Sequence, residues 1–132
     1  MARESKPSGL ITRAAARDLS SYQYHAMQVT TSDTIDYVDT SSTGVGWGVL
    51  QNAPATTGRE GEIATEGTSL LYVDGNSSNI AIGAYLGSNS NYHGVAVTAD
   101  TAQYFAVALE ASTADGDLIE VKLTGPGNTI AG

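Results

Sequence analysis

The chain has 132 residues, with 6 basic and 14 acidic side chains and a formal net charge of −8. This acidity argues against nucleic acid as a direct partner, because phosphate binding needs a basic face. The absence of cysteine excludes disulfides and thiol catalysis. No run of about 18 apolar residues occurs, so the sequence predicts no membrane span.

The basic side chains are concentrated at the N-terminus. Residues 1–18 carry four basic and two acidic side chains, whereas residues 19–132 carry two and twelve, so the net charges are +2 and −10. Apolar residues from Leu10 to Leu19 recur at three- and four-residue spacing, which is typical of a short amphipathic helix. A helix of two turns is marginal alone in water. The alternative is an untethered, solvated terminus.

We therefore expect residues 1–19 to form a basic arm that becomes ordered, with a short helix, on a partner. Arg13 and Arg17 are four residues apart and would share one helical face. The residues expected to contact the partner are Arg3, Lys6, Leu10, Ile11, Arg13, Arg17 and Leu19.

The remainder of the chain is rich in Val, Thr, Ile, Tyr and Gly and has the pattern of short strands separated by polar turns. Such a pattern predicts an all-β fold, a small antiparallel β-barrel over residues 20–124, followed by a loose C-terminal tail, 125–132. The predicted strands cover residues 22–30, 34–39, 45–51, 60–67, 69–74, 79–87, 93–99, 104–111 and 117–124.

Alternation along the last two strands predicts which side chains enter the core. In the final strand the inward set is Ile119, Val121 and Leu123, and in the strand before it Phe105, Val107 and Leu109. The Asp-Gly pair inside residues 114–117 predicts a hairpin turn between these strands.

No set of residues specifies a reaction. His25 and His93 are isolated in the sequence, and Asp33 and Asp36 would face opposite sides of a strand because they are three residues apart. We therefore expect no enzymatic activity, no metal and no cofactor. The weakest alternative is a hydrolase built on acids, which would draw on Asp33, Asp36, Glu60 or Glu62.

Four segments carry a resemblance to a known family. They are "GVLQNAPATTGREGEIATEG" at 48–67, "AIGAYLG" at 81–87, "HGVAVTAD" at 93–100 and "YFAVALEASTADGDLIEVKL" at 104–123. Together they resemble the capsid decoration, or cement, proteins of tailed bacteriophages, over roughly residues 44–124. The closing Ala-Leu-Glu-Ala strand, acidic Gly loop and Ile-Glu-Val-x-Leu strand are the most specific part. "TTGRE" has the appearance of a small insertion before Gly61.

The resemblance implies a β-tulip-like barrel on the outer surface of a virion, bound to the major capsid protein as a homotrimer beside neighbouring decoration proteins. It implies location in the host cytoplasm during assembly and stabilisation of the capsid against the pressure of packaged DNA. It brings no catalytic residues. The matched positions are interpreted as fold-shaping and are Gly48, Gln51, Asn52, Pro54 and Glu110.

A second interpretation is a carbohydrate-binding or fibre-type β-sandwich module. Its support is a set of aromatic residues near polar loops, where exposed rings could stack on sugars. The set consists of Trp47, Tyr72, Tyr85 and Tyr92.

Overall fold

The computed structural model describes residues 5–38, 46–98 and 102–130. Within these ranges the chain is all-β, with eleven strands and no helix. The described part accordingly contains no helix able to cross a membrane. The strands are β1 (Pro7–Ser8), β2 (Ile11–Ala15), β3 (Ala26–Val29), β4 (Thr34–Tyr37), β5 (Gly48–Leu50), β6 (Glu60–Ala64), β7 (Glu66–Asp74), β8 (Tyr85–Ser88), β9 (Gly94–Ala96), β10 (Gln103–Ala108) and β11 (Asp115–Thr129).

The strands close into two rings. The N-terminal ring has the order β2-β4-β3-β5-β6, and the C-terminal ring has the order β7-β11-β10-β8-β9, with β9 returning to β7 through one pairing, Val73 with Gly94. Strand β1 adds to the edge of β7. The predicted small β-barrel fold is confirmed. The structure differs in having two rings, joined at Thr65, where one was expected.

Each ring contains a parallel pairing, which corrects the expectation of a purely antiparallel barrel. Strands β2 and β4 are parallel in the N-terminal ring, and β7 and β9 are parallel in the C-terminal ring. The reason is geometric. Five strands cannot alternate direction around a closed circle, so at least one neighbouring pair must run the same way.

The two rings share a wall that is buried on both sides. Met27, Leu50 and Ile63 face the core of the N-terminal ring. Their neighbours on β3, β5 and β6, among them Ala26 and Val49, face a second core shared with the C-terminal ring. Strand β5 is consequently buried at every position, as expected for a strand covered on both faces.

The C-terminal ring confirms one predicted inward set and corrects the other. Ile119, Val121 and Leu123 are buried as predicted. Phe105 of β10 is fully buried, but Val107 is partly exposed and Leu109, just beyond the end of the strand, is 38% exposed. The pairing of β10 with β11 shifts register between Tyr104 and Ala106, and this reverses the alternation that the sequence suggested.

Two segments that the sequence predicted as a turn and as a loose tail lie inside β11. Gly116 adopts φ 88°, and the register advances from Asp115 to Asp117 while β7 advances by one residue. The Asp-Gly pair therefore forms a β-bulge, and the predicted hairpin turn is wrong. The predicted loose tail is also wrong for residues 125–129, because Thr129 pairs with Gln103 on β10.

The predicted helical arm is wrong for the described part of residues 1–19. Strand β2 pairs with β6 over residues 11–14 and with β4 at Ala14 and Ala15. These pairings satisfy backbone hydrogen bonds that an isolated two-turn helix would hold only marginally. The segment thus closes the N-terminal ring and, through β1, binds the C-terminal ring as well.

Candidate functional site

The residues predicted to contact a partner are distributed through the fold. Lys6 has an exposed side chain, while its amide donates to Thr68 Oγ1 at 2.8 Å. Leu10 is 50% exposed. Arg3 lies outside the described residues. Lys6 and Leu10 therefore keep side chains that a partner could reach.

Two of the predicted apolar contacts face the interior instead. Ile11 packs against the core of the N-terminal ring, and Leu19 is completely buried in it. The Leu19 amide donates to the Pro54 carbonyl at 2.9 Å. Leu19 is thus part of the fold and is unavailable to a partner.

The two arginines are neutralised within the chain. Arg13 Nε donates to Asp33 Oδ1 at 2.7 Å. Arg17 donates to both carboxylate oxygens of Asp36, at 2.8 and 2.9 Å, and to the Tyr37 hydroxyl at 2.7 Å. The Arg17 guanidinium also lies 4.4 Å from the centre of the Tyr37 ring. Hydrogen bonding to Asp36 raises the pKa of Arg17 above its usual value.

These ion pairs also bear on the hydrolase alternative. Both aspartates it named are engaged by arginines on or just beyond β2. Glu60 and Glu62 lie on β6, opposite Ala14 and Thr12 of β2. Two of the four acids are therefore already paired with arginines of the same chain.

Three matched positions of the resemblance are buried or make close contacts within the chain. A Cβ added to Gly48 would lie 2.1 Å from the Ala64 carbonyl oxygen, so these two backbones approach as closely as glycine allows. Pro54 is buried in the loop between β5 and β6. The Glu110 carboxylate accepts from the Glu120 amide at 2.8 Å.

The other two matched positions, Asn52 and Gln51, form hydrogen bonds with β6 and β7. Asn52 donates to the Glu60 carbonyl at 2.9 Å and accepts from the Glu62 amide at 3.0 Å. Gln51 Nε2 donates to Ser69 Oγ at 2.9 Å. Asn52 thereby closes the loop that holds the insertion seen in the sequence.

A continuous set of aromatic side chains lies at the junction of the two β-rings, and we call it the aromatic array. The sequence did not reveal it, because its members come from distant segments. It consists of Tyr22, His25, Tyr37, Tyr72, Tyr92 and His93.

The array joins the two histidines that seemed isolated in the sequence. Their ring centroids are 5.0 Å apart. His93 Nδ1 lies 2.9 Å from Asp115 Oδ1, and the His25 ring also contacts Tyr72 at 5.0 Å. Within the described ranges no group of three or more His, Cys, Asp or Glu side chains is placed to hold a metal ion.

Backbone hydrogen bonds cross the junction beside the array. The Tyr72 amide donates to the Tyr24 carbonyl at 2.9 Å, and the Ala26 amide donates to the Tyr92 carbonyl at 2.9 Å. Tyr24 and Tyr92 have φ values of 65° and 64°, a conformation that non-glycine residues rarely adopt. The two carbonyl groups that accept these hydrogen bonds between the β-rings therefore belong to residues with a left-handed backbone conformation.

Burial shifts the pKa values of two members of the array. It lowers the pKa of His25, although a hydrogen bond with the Gln23 carbonyl opposes the shift. Burial also raises the pKa of Tyr92. Because Tyr37 and Tyr92 stack on each other at 4.1 Å with a 9° tilt, these two rings cover each other's faces. The aromatic array therefore helps to hold the N-terminal and C-terminal β-rings together.

A second surface feature lies on the outside of the C-terminal ring, and we call it the uncharged face. Three of the four large hydrophobic side chains that are exposed in the described residues belong to it. Its signal in the sequence is that no Asp, Glu, Lys or Arg occurs from Gly75 to Thr98. The face comprises Ile82, Tyr85, Val97, Tyr104, Val107 and Leu109.

The aromatic residues of the sugar-binding interpretation are separated. Tyr72 and Tyr92 belong to the aromatic array, while Trp47 packs against the N-terminal core. Tyr85 lies on the uncharged face, with its ring centroid 4.4 Å from that of Tyr104. No three of the four form one platform.

Comparison with known proteins gives a likeness of fold. No family model matches the chain, and no curated protein matches its sequence. A solved structure that is similar is the N base of the head fiber gp8.5 of bacteriophage phi29, with a TM-score of 0.61 and 13% identity. The likeness covers 90% of this chain and 98% of that one. The two proteins therefore share their fold through nearly their whole lengths.

Proposed function

We propose that this protein is a structural component of a phage head. In its specific form, it is a capsid decoration protein that binds the outer surface of the major capsid lattice. The likeness to the N base of a phage head fiber over nearly both chains carries the proposal. The resemblance of residues 44–124 to cement proteins supports the same class from a separate line of reasoning.

The proposed mechanism is mechanical and involves no catalysis and no cofactor. The protein adds contact area across joints between capsid subunits, and interfaces of about 1,600 Å² are typical of stable pairs. Repetition of that contact over the lattice would oppose the outward pressure of packaged DNA. We propose the outer virion surface as its location and a homotrimer beside neighbouring decoration proteins as its working form.

The internal ion pairs change how the protein would meet the capsid. A tether made of Arg13 and Arg17 is not part of the proposal, because both arginines are paired with aspartates of the same chain. Among the remaining charged side chains acidic ones predominate, and the net charge is −8. The body of the protein therefore suits a basic capsid surface, with Lys6, Leu10 and the residues before them as an additional contact.

The test is co-sedimentation with purified, undecorated phage capsids. The full chain is compared with a chain lacking residues 1–4 and with Lys6→Glu, both of which leave β1 and β2 intact. Binding of all three supports the body as the contact, and loss of binding by both variants supports the N-terminal contact. Absence of binding to any capsid, including that of the native host, overturns the proposal.

A second candidate is the base of a head fiber, which the phi29 likeness specifically favours. Electron microscopy of particles carrying the protein separates the two. Decoration predicts compact knobs on the lattice, whereas a fiber base predicts a projection extending from each knob. A glycan array tests the carbohydrate-binding alternative with the same preparation.

A further inference from the structure

The outward side chains of β8 and β10 form one apolar surface. Tyr85 is directly opposite Val107 in the antiparallel pairing of β8 with β10, so their side chains share a face. Leu109 follows two residues after Val107 and lies on the same face. The alternate residues of these strands, Leu86 and Ala108, are buried on the inner side.

The surface continues on both sides of Tyr85. The Gly83 amide donates to the Ala108 carbonyl at 2.8 Å, which holds Ile82, 70% exposed, beside the end of β10. On the other side, Tyr85, Val97 and Ile130 line an open groove of about 270 Å³. Contiguous apolar surface of this kind is uncommon on monomers and marks interaction sites.

The charge pattern indicates what can cover this face. Between Asp74 and Glu110 the sequence has a single charged residue, Asp100, which lies outside the described residues. The rim is charged: Lys122 is directly opposite Val107, and Glu120 lies two residues before it. An apolar centre rich in tyrosine and depleted of charge, with a polar rim, is the usual composition of a protein interface.

We propose that the uncharged face binds a second copy of this chain. Two copies that each carry a net charge of −8 repel each other wherever their acidic surfaces meet. The uncharged face is where two copies approach without opposing acids. A basic partner would instead gain most from the acidic surfaces. The inference deepens the proposed function by naming a surface through which copies of this chain associate, and its link to the proposed homotrimer rests on the proposed function.

Analytical ultracentrifugation of the full chain, without capsids, tests the inference. We expect reversible association at micromolar concentrations and an increase of about tenfold or more in the dissociation constant for Ile82→Glu. Leu109→Glu should act in the same direction. Leu10→Glu is the matched control, because Leu10 is 50% exposed but lies outside the face, and it should associate as the unmodified chain does.

Each result decides the matter. A chain that remains monomeric at about 100 µM, a concentration that would populate any interface of useful affinity, overturns the inference. Association that persists unchanged in both face variants, or that Leu10→Glu abolishes equally, also overturns it. Circular dichroism confirms that each variant is folded, and Leu109→Glu replaces Ile82→Glu if the latter unfolds. Because capsids are not used, failure here is distinguishable from failure of capsid binding.

Discussion

At the scale of single residues, Gly48 is a position where the backbone leaves no room for a side chain. An alanine Cβ would meet the Ala64 carbonyl oxygen at 2.1 Å, and both partners are main-chain atoms of the shared wall. We expect Gly48→Ala to lower the free energy of unfolding by about 3 kcal/mol, the upper part of the range for overpacking. Urea denaturation measures it.

Gly61→Ala is the matched control for this substitution. Gly61 lies on β6 of the same ring, and the nearest atoms to its added Cβ would be Ile35 side-chain carbons, at 3.4 Å or more. Its cost should stay below about 1 kcal/mol. Equal losses for the two variants would contradict the view that close backbone approach fixes glycine at position 48.

The two ion pairs of β2 should differ in value. Asp36 is 14% exposed and binds Arg17 through both oxygens, whereas Asp33 is 76% exposed and binds Arg13 through one. Since exposed pairs contribute little and bidentate pairs more, we expect Asp36→Ala to cost about 1–2 kcal/mol and Asp33→Ala less than about 0.5 kcal/mol. Thermal denaturation of both variants measures the difference. A larger loss of stability for Asp33→Ala than for Asp36→Ala would refute the argument.

At the scale of elements, β2 is what closes the N-terminal ring. Removing residues 1–19 would leave one edge of β4 and one edge of β6 unpaired and would expose the core that Ala15 and Leu19 cover. We expect a chain that begins at Ser20 to bind a dye for exposed apolar surface and to unfold with a smaller denaturant slope. A chain lacking only residues 1–4 is the control. If the Ser20 chain binds no dye and keeps the denaturant slope of the full chain, residues 1–19 are dispensable for the fold.

The junction between the two rings should weaken in acid. Burial lowers the folded-state pKa of His25, so neutral His25 contributes stability that is fully present above its unfolded pKa of about 6.5 and is lost as the pH falls through the folded value. We expect the free energy of unfolding to decline from about pH 7 to pH 5. His25→Phe should flatten this decline. An unchanged slope in that variant would assign the effect to other groups.

At the scale of the whole molecule, the two proposed contacts should respond to salt in opposite directions. Capsid binding through an acidic surface should weaken between about 0.1 M and 1 M salt, because the screening length falls from about 10 Å to about 3 Å. Association of copies through the uncharged face should strengthen, because screening reduces the repulsion of two −8 bodies. Sedimentation across a salt series measures both, and the same trend for both would contradict this division of the surface.

Much of the fold could be predicted from local pattern. The strands of the C-terminal half follow period-two alternation, and Ile119 and Val121 are buried as that pattern indicates. The error at Leu109 arose where a register shift broke the period. The error at β2 arose because apolar residues spaced three and four apart also occur in a strand whose faces are only partly buried.

The candidate sites divide in the same way. The all-β class, the acidity of the body and the uncharged run that becomes the apolar face follow from the amino-acid sequence, because they depend on composition and on neighbours in the chain. The pairing of Arg17 with Asp36, the contact of His25 with His93 and the wall shared by the two β-rings are seen only in the folded chain. Those contacts join residues far apart in the chain, and strand pairing and ring closure, which local pattern does not encode, bring them together.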